Sequence, residues 1–103
     1  MITKVTGENF QSEVLESTIP VILEFYSDSC IPCKALAPVL ADIDENYEGK
    51  VKVAKVNVKF DKELAEKHEV LASPTIVFYE NGKETARLQG RQKKEQILEK
   101  LGL

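Results

Sequence analysis

Residues 20–26, Pro-Val-Ile-Leu-Glu-Phe-Tyr, form a nearly continuous apolar run. A strand with one wet face alternates polar and apolar residues, whereas an unbroken run suits a central strand covered on both faces. Such a strand needs helices on both sides of its sheet, which points to a layered α/β fold. The flanking sequence supplies the other pieces. Residues 2–5 are a short strand candidate, and 7–16 carry Phe10, Val14 and Leu15 at helical spacing. Leu36, Val39, Leu40, Ile43 and Tyr47 mark an amphipathic helix over 30–47, with Pro38 inside it and Gly49 ending it.

Residues 51–58 read as a strand, and Asp61 can cap a short helix with Leu64 and Ala65 facing inward. Residues 75–79 and 84–88 flank Asn81-Gly82, a strong hairpin signal, and 93–101 close the chain as a helix with Ile97, Leu98 and Leu101 on one face. The order βαβαβαββα predicts one mixed sheet between two helix layers, with an antiparallel hairpin at an edge. At 103 residues the whole chain, 1–103, is expected to be a single domain.

Fourteen Lys and Arg against 17 Asp and Glu leave a net charge of −3, the opposite of the basic face expected of a nucleic-acid binder. No apolar run approaches a membrane span, and the first residues carry no secretory signal pattern, so a cytoplasmic monomer with no membrane partner is expected. Two cysteines are too few for a disulfide-stapled secreted scaffold. They stand three apart, Cys30-Ile31-Pro32-Cys33, where a strand gives way to a helix. That spacing sets the two Cα atoms about 5–6 Å apart in the first helical turn, compatible with a disulfide.

Cys30 falls at the helix N-terminus, where free N–H groups favour an anion, and Pro32 suits a turn that has no use for its missing N–H. A lowered thiol pKa is expected for Cys30, with Cys33 shielded one turn deeper. Lowering a thiol from about 8.5 to about 7 raises the thiolate fraction at pH 7 roughly 16-fold but costs roughly fivefold in intrinsic nucleophilicity. The net gain is about threefold, so the larger advantage is Cys33, held beside any mixed disulfide at high effective molarity. The alternatives are a zinc half-site, for which the chain offers only two Cys and the distant His68, and a pair of inert structural cysteines. A redox dithiol without metal or organic cofactor is the favoured reading.

The segment Glu24-Phe25-Tyr26-Ser27-Asp28-Ser29-Cys30-Ile31-Pro32-Cys33-Lys34 resembles the active-site segment of the thioredoxin family. The likeness continues in order through Ala37-Pro38, residues 53–57, Ser73-Pro74-Thr75, Asn81-Gly82 and Gly90. It implies a five-stranded sheet of order 1-3-2-4-5 flanked by four helices, and reduction of protein disulfides in target proteins with electrons from a thioredoxin reductase. It further implies Cys30 as nucleophile, Cys33 as resolving thiol, and a cis Pro74 that lets the Ser73 backbone pair with an extended substrate. Ser29, Ile31, Pro32 and Gly90 would complete the substrate surface. The plainer alternatives are a trans Pro74 opening a strand and Gly90 as an ordinary turn residue.

Four positions depart from the family pattern: Glu24 replaces its buried Asp, Ser29 its aromatic before the first Cys, Tyr26 its Trp, and Ile31-Pro32 its Gly-Pro. A carboxylate in an apolar strand is costly to bury and takes a raised pKa, which suits Glu24 to accept the Cys33 proton. The family fold would set Lys55 on the adjacent strand as its tuning partner. The bland readings are Glu24 at a strand end reaching water and Lys55 on a solvated face; His68 reads as a surface helix residue. Two other functions compete with reduction: a redox-inert peptide-binding module of the same fold, and a disulfide oxidant or isomerase.

Overall fold

The computed structural model describes residues 1–103. Five strands, β1 (Thr3–Lys4), β2 (Val21–Tyr26), β3 (Lys52–Asn57), β4 (Thr75–Glu80) and β5 (Lys83–Gln89), form one sheet of order β1-β3-β2-β4-β5. The helices are a short π-helical segment (Gln11–Leu15), α1 (Ile31–Asn46), α2 (Lys62–Lys67) and α3 (Lys94–Lys100). This is the thioredoxin fold, as the resemblance implied. β3 runs parallel to β1 and β2, whereas β4 is antiparallel to β2 and β5. No helix is long and apolar enough to cross a membrane.

β2 occupies the centre, and its first five residues are all buried, which is why its sequence shows no alternation. Side chains at odd positions (Val21, Leu23, Phe25) join Val14, Leu64, Val77 and Tyr79 on one face of the sheet. Ile22, at an even position, joins Leu36, Leu40, Ile43, Phe78 and Ile97 on the other, beneath α1 and α3. This parity decides where Glu24 points: an even residue of β2 lies on the α1 side.

The helix expected over 7–16 is shorter than its apolar spacing suggested. Only Gln11–Leu15 is helical, closed by a wide hydrogen bond from the Glu16 amide to the Gln11 carbonyl (2.9 Å). Two local bonds and one distant one hold the residues before it in a turn. Asn9 Oδ1 accepts from the Thr6 amide (2.8 Å), Asn9 Nδ2 donates to the Lys4 carbonyl (3.0 Å), and the Gly7 amide donates to Asp61 (2.7 Å). The same Asp61 caps α2 by accepting from the Leu64 amide (3.0 Å), as its position predicted.

Asn81 and Gly82 both take positive φ, 52° and 79°, the geometry that joins β4 to β5 in a tight hairpin. A β-carbon at Gly82 would stand 3.0 Å from the Leu15 carbonyl oxygen, so the turn also packs against the π-helical segment.

Candidate active site

At the end of β2 the chain turns through Ser27, Asp28 and Ser29 into α1, with Cys30 as N-cap and Pro32 in the first turn. The Cys33 amide donates to Cys30 Sγ at 3.1 Å, the N-terminal hydrogen bond that a Ser or Asp oxygen accepts in most helices. The two cysteines are joined in a disulfide with Cα atoms 5.2 Å apart. Cys33 is buried at 5% exposure, while Cys30 is half-exposed. The predicted asymmetry between an outer and an inner sulfur is therefore present.

Across from the dithiol, the Ser73–Pro74 peptide bond is cis and Pro74 is buried, which excludes the trans alternative. Cys30 Sγ lies 3.4 Å from the Ser73 carbonyl oxygen, a contact rather than a hydrogen bond while the sulfur is in a disulfide and has no proton. The Gly90 amide donates to the Pro74 carbonyl (2.8 Å), and Gly90 holds φ at +80°. A β-carbon there would meet open space, so backbone conformation rather than crowding favours glycine. Ile31, the first residue of α1, and Leu71, in the segment leading to Pro74, are 78% and 90% exposed.

Glu24 lies beneath this site. It is 5% exposed, its Oε2 has no protein hydrogen-bond partner, and burial pushes its pKa up to about 7, with Lys55 pulling the other way. Lys55 pairs with Glu24 in the β2–β3 register, and its Nζ stands 5.2 Å from the centroid of the Tyr26 ring. One cavity of about 200 Å³ is lined by Glu24, Tyr26, Cys33, Lys34, Ala37 and Lys55 among others. The acid, the inner cysteine and the ammonium thus share a compartment. The bland reading of Glu24 as a strand-end residue reaching water does not fit this burial, whereas Lys55 is half-buried.

The thioredoxin family model matches residues 1–102. The chain is 33% identical to a thioredoxin of Rickettsia bellii and 35% identical to one of Rickettsia felis, in each case over 96% of this chain and 94% of the relative. It is 38% identical to thioredoxin C-2 of Corynebacterium nephridii over 86% of this chain and 82% of that protein. The chain belongs to the thioredoxin family. It is a thiol–disulfide oxidoreductase with a Cys-x-x-Cys redox pair.

In this thioredoxin framework His68 keeps part of its surface in solvent while its ring also packs inward. It is half-buried at the end of α2, with ring centroids 4.7 Å from Phe10 and 5.9 Å from Phe25. Its Nδ1 lies 2.9 Å from the Leu64 carbonyl, which can only accept, so Nδ1 carries the proton. A groove of about 690 Å³ between the π-helical segment and α2 is lined in part by His68 and Phe60 and includes neither cysteine.

Sequence reasoning also missed Lys59, whose Nζ donates to Ser29 Oγ at 3.1 Å. The signal lies in strand register: pairing Tyr26 with Asn57 carries the residues after β3 alongside those after β2.

Proposed function

We propose that this chain is a cytoplasmic thioredoxin of a Cys-Ile-Pro-Cys type that works as a single-domain monomer and reduces disulfides in target proteins with electrons from a thioredoxin reductase. The observation that carries the reading is the outer sulfur at a helix N-cap, facing the Ser73 carbonyl on the cis-Pro74 loop. In the reduced protein, the Cys33 amide stabilises the Cys30 thiolate by hydrogen bonding to the charged form. An extended substrate pairs with the Ser73 backbone, against a surface that includes Ser29, Ile31, Pro32 and Gly90.

The Cys30 thiolate attacks one sulfur of the substrate disulfide. A Cys30–substrate bond forms, the substrate S–S bond breaks, and the first substrate sulfur leaves as thiolate. Cys33 then gives its proton to Glu24 and attacks Cys30 Sγ. This closes the Cys30–Cys33 disulfide and releases the second substrate thiolate. Two electrons pass from the dithiol to the substrate, and a reductase restores them. Lys55 tunes Glu24 across the shared cavity.

Trapping tests the assignment. Cys33→Ser is expected to accumulate a mixed disulfide with a substrate protein, and Cys30→Ser to accumulate none. Trapping through Cys33 alone would reverse the two roles. A redox titration separates the reductase from its relatives: a midpoint close to the about −270 mV typical of thioredoxin supports reduction, whereas one near about −180 mV would point to an isomerase.

A further inference from the structure

The chain carries a net charge of −3, but the rim of the dithiol has the opposite balance. Within two positions of residues 29–33, 73–74 and 90, the charged residues are Asp28, Lys34 and Arg91, all exposed. A third cation comes from the turn after β3, since Lys59 Nζ donates to Ser29 Oγ, one residue before the outer cysteine. Its position is fixed by Asn57. That side chain accepts from the Lys59 and Phe60 amides (3.0 and 3.3 Å) and donates to Asp28 Oδ2 at 3.3 Å. The only carboxylate among these rim residues is thereby tied to Asn57, while the partner of the Lys59 ammonium is a neutral hydroxyl.

We infer that Lys59 is a specificity residue: its ammonium receives the carboxylate of an Asp or Glu next to the substrate cysteine that Cys30 attacks, so the protein prefers disulfides set in acidic segments. This rests on the reductase reading above and names the substrate class for it. Exchanging Ser29 Oγ for a substrate carboxylate converts a neutral-acceptor bond into a charge-assisted pair, the stronger kind. Lys34 and Arg91 add to the same field, so that three cations outnumber the single carboxylate of Asp28 among these residues. Exposed pairs of this sort give at most about fivefold in rate or affinity. They are screened by salt, because the Debye length shrinks to about 3 Å at 1 M.

The test uses disulfide-linked homodimers of a blocked pentapeptide, Gly-X-Cys-X-Gly with X as Glu, Gln or Lys, so that either sulfur offers the same flanks. The second-order rate constant for oxidation of the fully reduced protein is measured for each, normalised to reduction of the same peptide by dithiothreitol. The wild type is expected to favour Glu over Gln by about three- to fivefold, and 1 M KCl to erase the difference. Lys59→Gln should bring the ratio close to one and Lys59→Glu below one. A wild-type ratio of one overturns the inference. So does an equal slowing of all three peptides by Lys59→Gln, which would place the ammonium's effect on the Cys30 thiolate instead. If the wild type reduces none of the peptides, the reductase reading itself fails and takes this one with it.

Discussion

Glu24 and Tyr79 both bury an oxygen that has no protein hydrogen-bond partner, and they do so on opposite faces of one sheet. Burial raises both pKa values, Glu24 to about 7 and Tyr79 to about 12. The physical cause is the same, yet the consequences differ. A carboxyl moved to about 7 exchanges its proton at the pH of the cell, and it shares a cavity with Cys33. A phenol moved to about 12 stays neutral throughout, packed edge-on to Phe10 at 5.9 Å among aliphatic side chains. Desolvation alone therefore does not make a functional group. Its direction must bring the pKa into range, and a reacting atom must be within reach.

Glu24→Gln should break this comparison most severely. For a carboxyl the folded pKa of about 7 lies above the unfolded value near 4.5, so the folded state holds the proton more tightly. The associated stability is fully present below pH 4.5 and is lost as pH rises through about 7. With one pKa unit worth about 1.4 kcal/mol, the wild type is expected to lose on the order of 3 kcal/mol between acidic pH and pH 9. Urea unfolding across that range should show the loss in the wild type and a much flatter curve in Glu24→Gln. Resolution of the mixed disulfide should also slow by about tenfold or more near pH 7, as for a lost general base. A variant with the parental pH–rate profile would put Glu24 in the same structural class as Tyr79.

Lys55→Met sharpens the contrast by a smaller step. The ammonium opposes burial at Glu24, so removing it should raise the Glu24 pKa further and move the corresponding limb of the pH–rate profile to higher pH. Cys30 reactivity towards iodoacetamide, which does not involve proton transfer from Cys33, should change little. A profile that stays in place would show that Lys55 serves Tyr26 alone, through the contact of its ammonium with the ring.

Much of this was legible in the sequence because the signals are local. The unbroken apolar run of β2 marked the centre of the sheet, Asn81-Gly82 marked the hairpin, and an acidic residue within that run marked Glu24 as buried and perturbed. The failures share one cause, which is bonding between elements far apart in the chain. Asp61 reaches back to Gly7 and helps hold the turn before the first helix, which therefore begins late. The His68 ring packs against Phe10 and Phe25, and Lys59 meets Ser29 from the turn after the neighbouring strand β3. Periodicity has no access to such partners.

Tyr79→Phe offers the smallest effect and the cleanest control. The hydroxyl is buried without a protein partner, so the residue carries a desolvation cost that phenylalanine would not. The ring keeps its place against Phe10, and the volume lost is that of one oxygen. The variant should therefore match the parent or gain up to about 1 kcal/mol in urea unfolding at pH 7. Its turnover and its stability slope between pH 5 and 9 should equal those of the wild type. A phenol whose folded pKa of about 12 exceeds its unfolded value of about 10 contributes stability that is lost only as pH rises through that interval. Phenylalanine should remove that alkaline loss and nothing else. A fall in turnover at pH 7 would mean that Tyr79 acts on the dithiol from the far face of the sheet, and the distinction between the two buried oxygens would collapse.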